Sequence, residues 1–338
     1  MEALLFTIRQ HSHWISTMLK WSFSLLICIA IGYQLFFYNN ITTIFNEFLS
    51  TVWDRPTSYL CLAIGLIPFN LAFETLKWMQ FTQYSFKMRF WEAHRAVLAG
   101  LSLAIVTPNR VGEYGGRLLL VPPAQRWQAA AAMVLGNYCQ LLVLLFGGLV
   151  GFCWFADNYL EWQAYIIRII WLTGGITCLT LLYGLLQIGR ILPIIRKYVP
   201  KKMGRRWQRL LVFLRIISMK TKWKALQWAA LRYLTYSTQY WLLLQFFGIK
   251  VSLVQGFAGI ASIFLIQTAV PLSASMALLA RGEIAVYVWG HFGANEISVL
   301  AATFTLFVLN IVLPALLGIL FIVQKNVFKS SGYEKSTV

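Results

Sequence analysis

The sequence predicts an all-α, polytopic membrane protein made of two inverted-topology repeats, each carrying a proline-broken helix pair. Three observations lead there. The 338 residues are 59% hydrophobic and only 12% charged, with a mean hydropathy of +0.66, where a soluble chain would carry roughly twice that charge. Several apolar runs reach the ~20 residues that cross a hydrocarbon core of ~30 Å, and the alternation of a closed β-barrel is absent. Finally, two stretches match each other across the chain while the charge pattern gives them opposite orientations.

The runs follow in order. A first span covers about residues 17–38 and a second about 58–79, joined by a loop with Glu47, Asp54 and Arg55. Lys87, Arg89, Glu92 and Arg95 follow. An unbroken third span is expected at 128–155 and a fourth at 162–188, with the acidic Asp157 and Glu161 near their junction. Residues 190–224 hold twelve Lys or Arg and no acid. A fifth span is expected at 225–247 and the last at 297–323, before Lys325 and Lys329. The whole chain reads as one membrane domain, with repeat one at 58–155, a basic linker at 189–224 and repeat two at 225–323.

Counting Lys and Arg places both termini, the 80–95 loop and the 190–224 segment in the cytoplasm of a plasma (inner) membrane. The parity holds only if residues 92–127 and 250–296 each enter and leave on one side. Each is an apolar run broken at a proline, Pro108 or Pro271. Residues 96–107 would form about 18 Å of helix, too short to span. That pair is expected to dip in, turn at Thr-Pro-Asn-Arg and return. The arm at 251–270 is long enough to cross, so a re-entrant hairpin and two full spans both fit.

The stretch from Glu113 aligns without a gap on the stretch from Glu283, pairing Ala131 with Ala301, Ala132 with Ala302 and Gly148 with Gly318. Upstream, "GLSLAIVTP" answers "SIFLIQTAVP", ending at Pro108 and Pro271. Repeats of opposite orientation are the architecture in which transporters place a site on broken helices at the repeat interface.

If helical, Arg110, Glu113 and Arg117 share one face, with Glu113 able to reach both arginines. Gly115-Gly116 would admit a second backbone or a headgroup. Backbone N–H groups freed after the proline, beside arginine forks, suit a phosphate oxyanion. Arg281 and Glu283 are the counterpart in the second half. The candidate substrate-binding residues are therefore Arg110, Glu113, Arg117, Arg281 and Glu283, with Pro108 and Pro271 breaking the helices. The plainer reading has the arginines snorkelling to the interface with Glu113 as a structural partner. Glu74 and Lys77 read as a structural interface pair, and Arg232, about two turns into its span, as a candidate for the cavity wall. Arg168 is expected to snorkel outward. The segment from Trp207 through Leu210, Leu211 and Leu214 to Ile217 suggests an amphipathic helix lying on the inner leaflet.

The formal charge of +18 would suggest nucleic acid in a soluble protein. Here it is a positive-inside signal whose partner is anionic lipid. Five cysteines lie in or beside apolar runs with no Cys-x-x-Cys spacing, and four histidines show no ligand spacing on one helix. No metal, disulfide or cofactor is expected. The first span lacks a small-residue cleavage site and is expected to be retained.

"LKWMQF", then "TPNRVGEYGGR" about thirty residues on, and later "PLSASMALLARGE" resemble the lysylphosphatidylglycerol synthase transmembrane-region (flippase-like) family over roughly residues 15–325. Lys77-Trp78 stands for that family's Arg-Trp pair. Pro108, Arg110, Gly112, Glu113 and Arg117 match its first motif, and Pro271, Arg281 and Glu283 its second. Asn109 replaces a glycine, Lys77 an arginine, and "SASMALLA" a glycine-rich stretch, while Gly282 separates the second arginine from its glutamate. The resemblance implies a lipid translocase handling an anionic phospholipid or a lipid-linked headgroup, similar to the flippase domain of multiple peptide resistance factor proteins. A chain ending at Val338 leaves no room for the synthase domain of those proteins, so lysyl transfer is not expected. The sequence also admits a membrane enzyme acting on a lipid phosphate, or a non-transporting scaffold. The enzyme lacks an evident base beside Ser273 and Ser275. Self-association is open.

Overall fold

Backbone N–H and C=O groups in lipid have to be satisfied within the chain, which leaves helices as the economical solution for an apolar sequence. The computed structural model describes residues 41–54, 57–107, 111–195, 212–269 and 274–324, and no strand occurs among them. The first expected span, at 17–38, lies outside the described residues, as do Pro108, Arg110 and Pro271.

Thirteen labelled helices organise the described residues: α1 (Ile41–Asp54), α2 (Ser58–Gly65), α3 (Ile67–Thr82), α4 (Phe90–Val106), α5 (Gly112–Leu119), α6 (Arg126–Tyr159), α7 (Ala164–Leu186), α8 (Ile188–Ile195), α9 (Met219–Phe246), α10 (Leu253–Ala269), α11 (Ala274–Gly290), α12 (Glu296–Phe307) and α13 (Leu313–Gln324). Four helical stretches are long and apolar enough to cross a membrane: Ser58–Thr82, Pro123–Tyr159, Ala164–Leu186 and Glu296–Val323. They coincide with four of the spans expected from hydropathy. The fifth expected span falls in α9, a continuous helix of 28 residues whose many Trp, Tyr and Gln make it less apolar.

Two long helices are less regular than the sequence suggests. The second expected span breaks at Leu66, whose N–H is shared between Leu62 O (3.1 Å) and Ala63 O (3.3 Å). Pro68 accounts for the break, because it has no N–H for the carbonyl four residues back and its ring crowds that turn. Between α12 and α13 the backbone widens into a π turn at Val308–Val312, where Pro314 likewise cannot donate to Asn310.

The first broken pair is a tight antiparallel hairpin. Its α4 arm starts at Phe90, six residues before the expected start, because the Glu92 carboxylate accepts from the Arg89 N–H at 3.0 Å and secures the first turn. The 17 residues of α4 make about 25 Å of helix. On α5, Gly112 faces the Leu103 carbonyl and Gly116 the Ala99 carbonyl so closely that a Cβ at either would overlap backbone. This Gly-x-x-x-Gly face lets the two arms touch. Gly115, expected to share that role, is exposed and meets only the tip of Leu103.

Each arm then packs on the other half of the chain. Helix α10 lies along α6, α4 lies along α13, and α3 lies along α9. Gly148 of α6 meets Leu265 of α10, and Gly318 of α13 meets Leu98 O and Ser102 Oγ of α4. Ser102 Oγ also donates to Ala315 O at 2.6 Å. Helix α7 is peripheral, with Leu172, Leu179 and Tyr183 exposed.

The expected leaflet helix ends differently from its pattern. Trp207, Leu210 and Leu211 lie outside the described residues, whereas Leu214 and Ile217 are buried in one cluster with Leu185, Ala225 and Ala229. An amphipathic face needs an apolar partner, and the ends of α7 and α9 supply part of it here.

Candidate functional site

Helix α3 carries Asn70, Glu74, Lys77 and Trp78 into the interior of an otherwise apolar bundle, all buried. Helices α5, α6 and α9 close around them, and every polar head must then find a partner. Glu74 is the hub. Its Oε2 accepts from Lys77 Nζ at 2.6 Å and pairs with Arg232 Nη1 at 3.0 Å. Its Oε1 accepts from Arg117 Nη2 at 2.8 Å. The same Arg117 Nη2 reaches Glu113 Oε1 at 2.5 Å, one turn earlier on α5.

Neutral groups complete the cluster. Gln140 Oε1 on α6 accepts from Lys77 Nζ at 3.2 Å and from Arg232 Nη1 at 3.3 Å. Its Nε2 is held by donating to Ala229 O at 3.3 Å. The Arg117 guanidinium carbon stands 5.4 Å above the Trp78 ring, and Trp78 Nε1 donates to Ala129 O at 3.4 Å. Lys77, Arg117 and Arg232 face Glu74 and Glu113, so these five ionised groups leave one positive charge over. Side-chain exposure decides where the cluster opens: 1% for Lys77 and 5% for Glu74, 2% for Arg117 and 12% for Glu113, against 27% for Arg232. Arg232 is the open edge. Its Nε is buried and has no hydrogen-bond partner among the described residues.

Arg281 of α11 also reaches α9. Its Nε donates to Gln267 Oε1 at 2.8 Å and its Nη1 to Tyr236 Oη at 2.8 Å. Its guanidinium carbon lies 5.7 Å over the Phe264 ring. These partners are neutral. Arg232 and Tyr236 are four residues apart on one face of α9, so the two arginine sites adjoin, separated by about 6 Å along that helix.

Of the residues singled out in the sequence, Glu113 and Arg117 come together with Glu74, Lys77, Trp78 and Arg232. Arg281 stands beside that group, one turn along α9. Glu283 does not join: it is exposed, on the side of α11 away from Arg281. Pro108, Arg110 and Pro271 lie outside the described residues. Arg168 is exposed on α7. Glu74 and Lys77, read from their spacing as a structural interface pair, do pair with each other at 2.6 Å and stand within this cluster, and Gln140, Gln267 and Tyr236 were missed altogether. Polar residues inside apolar runs are the signal that would have found Gln140 and Gln267. Among the described residues no group of three or more His, Cys, Asp or Glu is placed to hold a metal ion.

No protein-family profile matches the chain, and no curated protein matches it.

Proposed function

We propose that the protein is a lipid translocase of two inverted repeats, handling a lipid whose headgroup carries an anionic phosphate. The observation that carries this reading is the pair of adjoining arginine sites, buried among apolar helices and holding more positive than negative charge. Charges at such depth are costly unless paired, and an unneutralised cation there suits an anion that comes and goes. Arg232 and Arg281 would receive the phosphate. Glu74 would hold Lys77 and Arg117 in place beside it.

Packing supports the repeat. The sequence match pairs Gly148 with Gly318. Aligning Pro108 with Pro271 pairs Ser102 with Leu265, each six residues before its proline. In space Gly148 meets Leu265 and Gly318 meets Ser102, so matched positions make the matched contact in exchange. Trp78 fixes α3 to α6 through Ala129 O, as Tyr240 fixes α9 to α12 by its hydrogen bond of 2.6 Å with Thr303. Two equivalent halves that meet at a site can rock against each other, which is what alternating access requires. In this reading the α4–α5 hairpin is re-entrant from the cytoplasmic side.

Leaflet exchange in proteoliposomes tests the proposal, using labelled phospholipids and polyprenyl phosphates with wild type and the Arg232→Gln/Arg281→Gln variant. Exchange of one lipid class, at least tenfold slower in the folded variant, is expected. Equal exchange by both proteins, or none under an imposed pH gradient or membrane potential, would overturn it. Chemical conversion of the lipid would point to an enzyme.

A further inference from the structure

A second cationic site lies away from the central cluster, where α7 ends and α9 begins. A cavity of about 530 Å³ opens there, lined by Arg190, Arg215 and Lys222 and by the apolar Leu186, Leu214 and Met219. Among the described residues no carboxylate lines it. Lys222 is 5% exposed, and its Nζ donates to Leu186 O at 2.6 Å, the orphan carbonyl at the end of α7. An ammonium has three donors, so this bond holds Lys222 in place and leaves N–H groups for a ligand. Arg190 and Arg215 are exposed at the mouth.

The wall is built in advance. Tyr84 Oη bonds Ser218 Oγ at 3.0 Å and Thr221 Oγ1 at 2.8 Å, and accepts from Ser218 N at 3.2 Å. Ser218 caps α9 by accepting from Thr221 N at 3.2 Å. The loop after α3 thus clamps the first turn of α9, which carries Met219 and Lys222 into the cavity. Opposite, Gly189 approaches the backbone of Leu214 and Arg215 to within 3.3 Å of where a Cβ would stand.

Location and lining together define the ligand. The cavity sits at the end of a helix long and apolar enough to cross a membrane, which is where a spanning helix would reach the headgroups of one leaflet. Cationic and aliphatic side chains share its lining. We infer that this cavity binds the phosphodiester of an anionic glycerophospholipid, with acyl chain along Leu186, Leu214 and Met219, as a resident lipid distinct from any transported one. Arg190 and Arg215 fork onto the phosphate oxygens and Lys222 meets them from below. Because Tyr84 ties the cavity to the end of α3, the bound lipid also steadies the helix that carries Glu74.

Native mass spectrometry of the detergent-solubilised full chain tests this, titrating phosphatidylglycerol, phosphatidylcholine and inorganic phosphate. Wild type is expected to keep one phosphatidylglycerol at concentrations about tenfold below phosphatidylcholine. Arg190→Gln/Arg215→Gln, which touches only exposed side chains, is expected to erase that preference, while Arg168→Gln leaves it intact. The proposal is overturned if the double variant keeps the preference, or if inorganic phosphate displaces the lipid at equal concentration, which would make this a free-phosphate site. Lys222→Arg, which keeps a donor for Leu186 O, is expected to keep lipid binding and control for folding.

Discussion

Two arginines of the interior, Arg117 on α5 and Arg281 on α11, are satisfied in opposite ways. Arg117 reaches Glu74 on α3, four residues before Trp78, and Arg281 reaches Tyr236 on α9, four residues before Tyr240. One is met by a carboxylate shared by three cations; the other is met by a phenol and an amide. The first arrangement is locked, because removing its anion strands three charges. The second is held, among the described residues, by neutral hydrogen bonds, so an incoming anion has less to displace. In the proposed translocase, Glu74, Lys77 and Arg117 would anchor, while Arg281 and the open edge at Arg232 would exchange the anion.

Removing the hub should therefore cost far more than removing its counterpart. Glu74→Ala is expected to destabilise the protein by about 3–5 kcal/mol, since the buried Lys77 and Arg117 and the partly exposed Arg232 lose their shared carboxylate. Tyr236→Phe deletes one hydrogen bond to a charged group and is expected to cost about 1.5–3 kcal/mol. Glu283→Ala, on an exposed residue, should stay within about 0.5 kcal/mol. Thermal and denaturant unfolding in one detergent ranks the three. An equal cost for Glu74→Ala and Tyr236→Phe would break the asymmetry.

The contacts exchanged between halves differ in the same sense. At Gly318 a Cβ would run into the Leu98 carbonyl and Ser102 Oγ, whereas at Gly148 it would meet Leu265 Cβ at 2.8 Å. Neither the Leu98 carbonyl nor Leu265 Cβ moves by a rotamer change, but the overlap at Gly318 is deeper than the 2.8 Å approach at Gly148. Gly318→Ala is expected to cost about 3 kcal/mol and Gly148→Ala about 1 kcal/mol, the two ends of the usual range for overpacking. Unfolding midpoints of the two variants give the ratio, and a larger loss at Gly148 would mean that α10 is the more rigid arm.

Much of this was legible in the chain. Unbroken apolar runs at 128–155 and 162–188 mark α6 and α7 because lipid demands that length. Pro108 and Pro271 lie outside the described residues, in the intervals between α4 and α5 and between α10 and α11. The convergence on Glu74 was not legible, since a Glu and a Lys three residues apart look the same on a snorkelling face and in a buried one. Only the packing of α3 against α9 and α6 brings Arg232 and Gln140 to that pair. Gly112 and Gly116 carried a readable four-residue spacing, masked by the more conspicuous Gly115-Gly116. The early start of α4 was hidden by Glu92 and Arg95, whose charges suit an exposed first turn as well as a loop.

A smaller difference lies one turn into α4. His94 stands fourteen residues before Pro108, and Phe257 stands fourteen before Pro271, so only the first of these two positions titrates near neutrality. His94 Nδ1 lies 3.0 Å from Thr75 Oγ1, next in sequence to Glu74, and its ring stacks on Phe90 at 5.5 Å between centroids. Burial holds the imidazole below its ordinary value, because a charged ring loses water there. A folded-state value below the unfolded one of about 6.5 means that the contribution is present above that pH. It is lost as pH falls through the folded value, when the folded protein must take up a proton in a place that resists it. Stability should therefore fall on acidification below about pH 6.5, by more in wild type than in His94→Phe, which copies the second half. Unfolding midpoints between pH 7.5 and 5 compare the two. Parallel pH profiles would show that His94 charges without cost and that the acid sensitivity belongs to the carboxylates at Glu74 and Glu113.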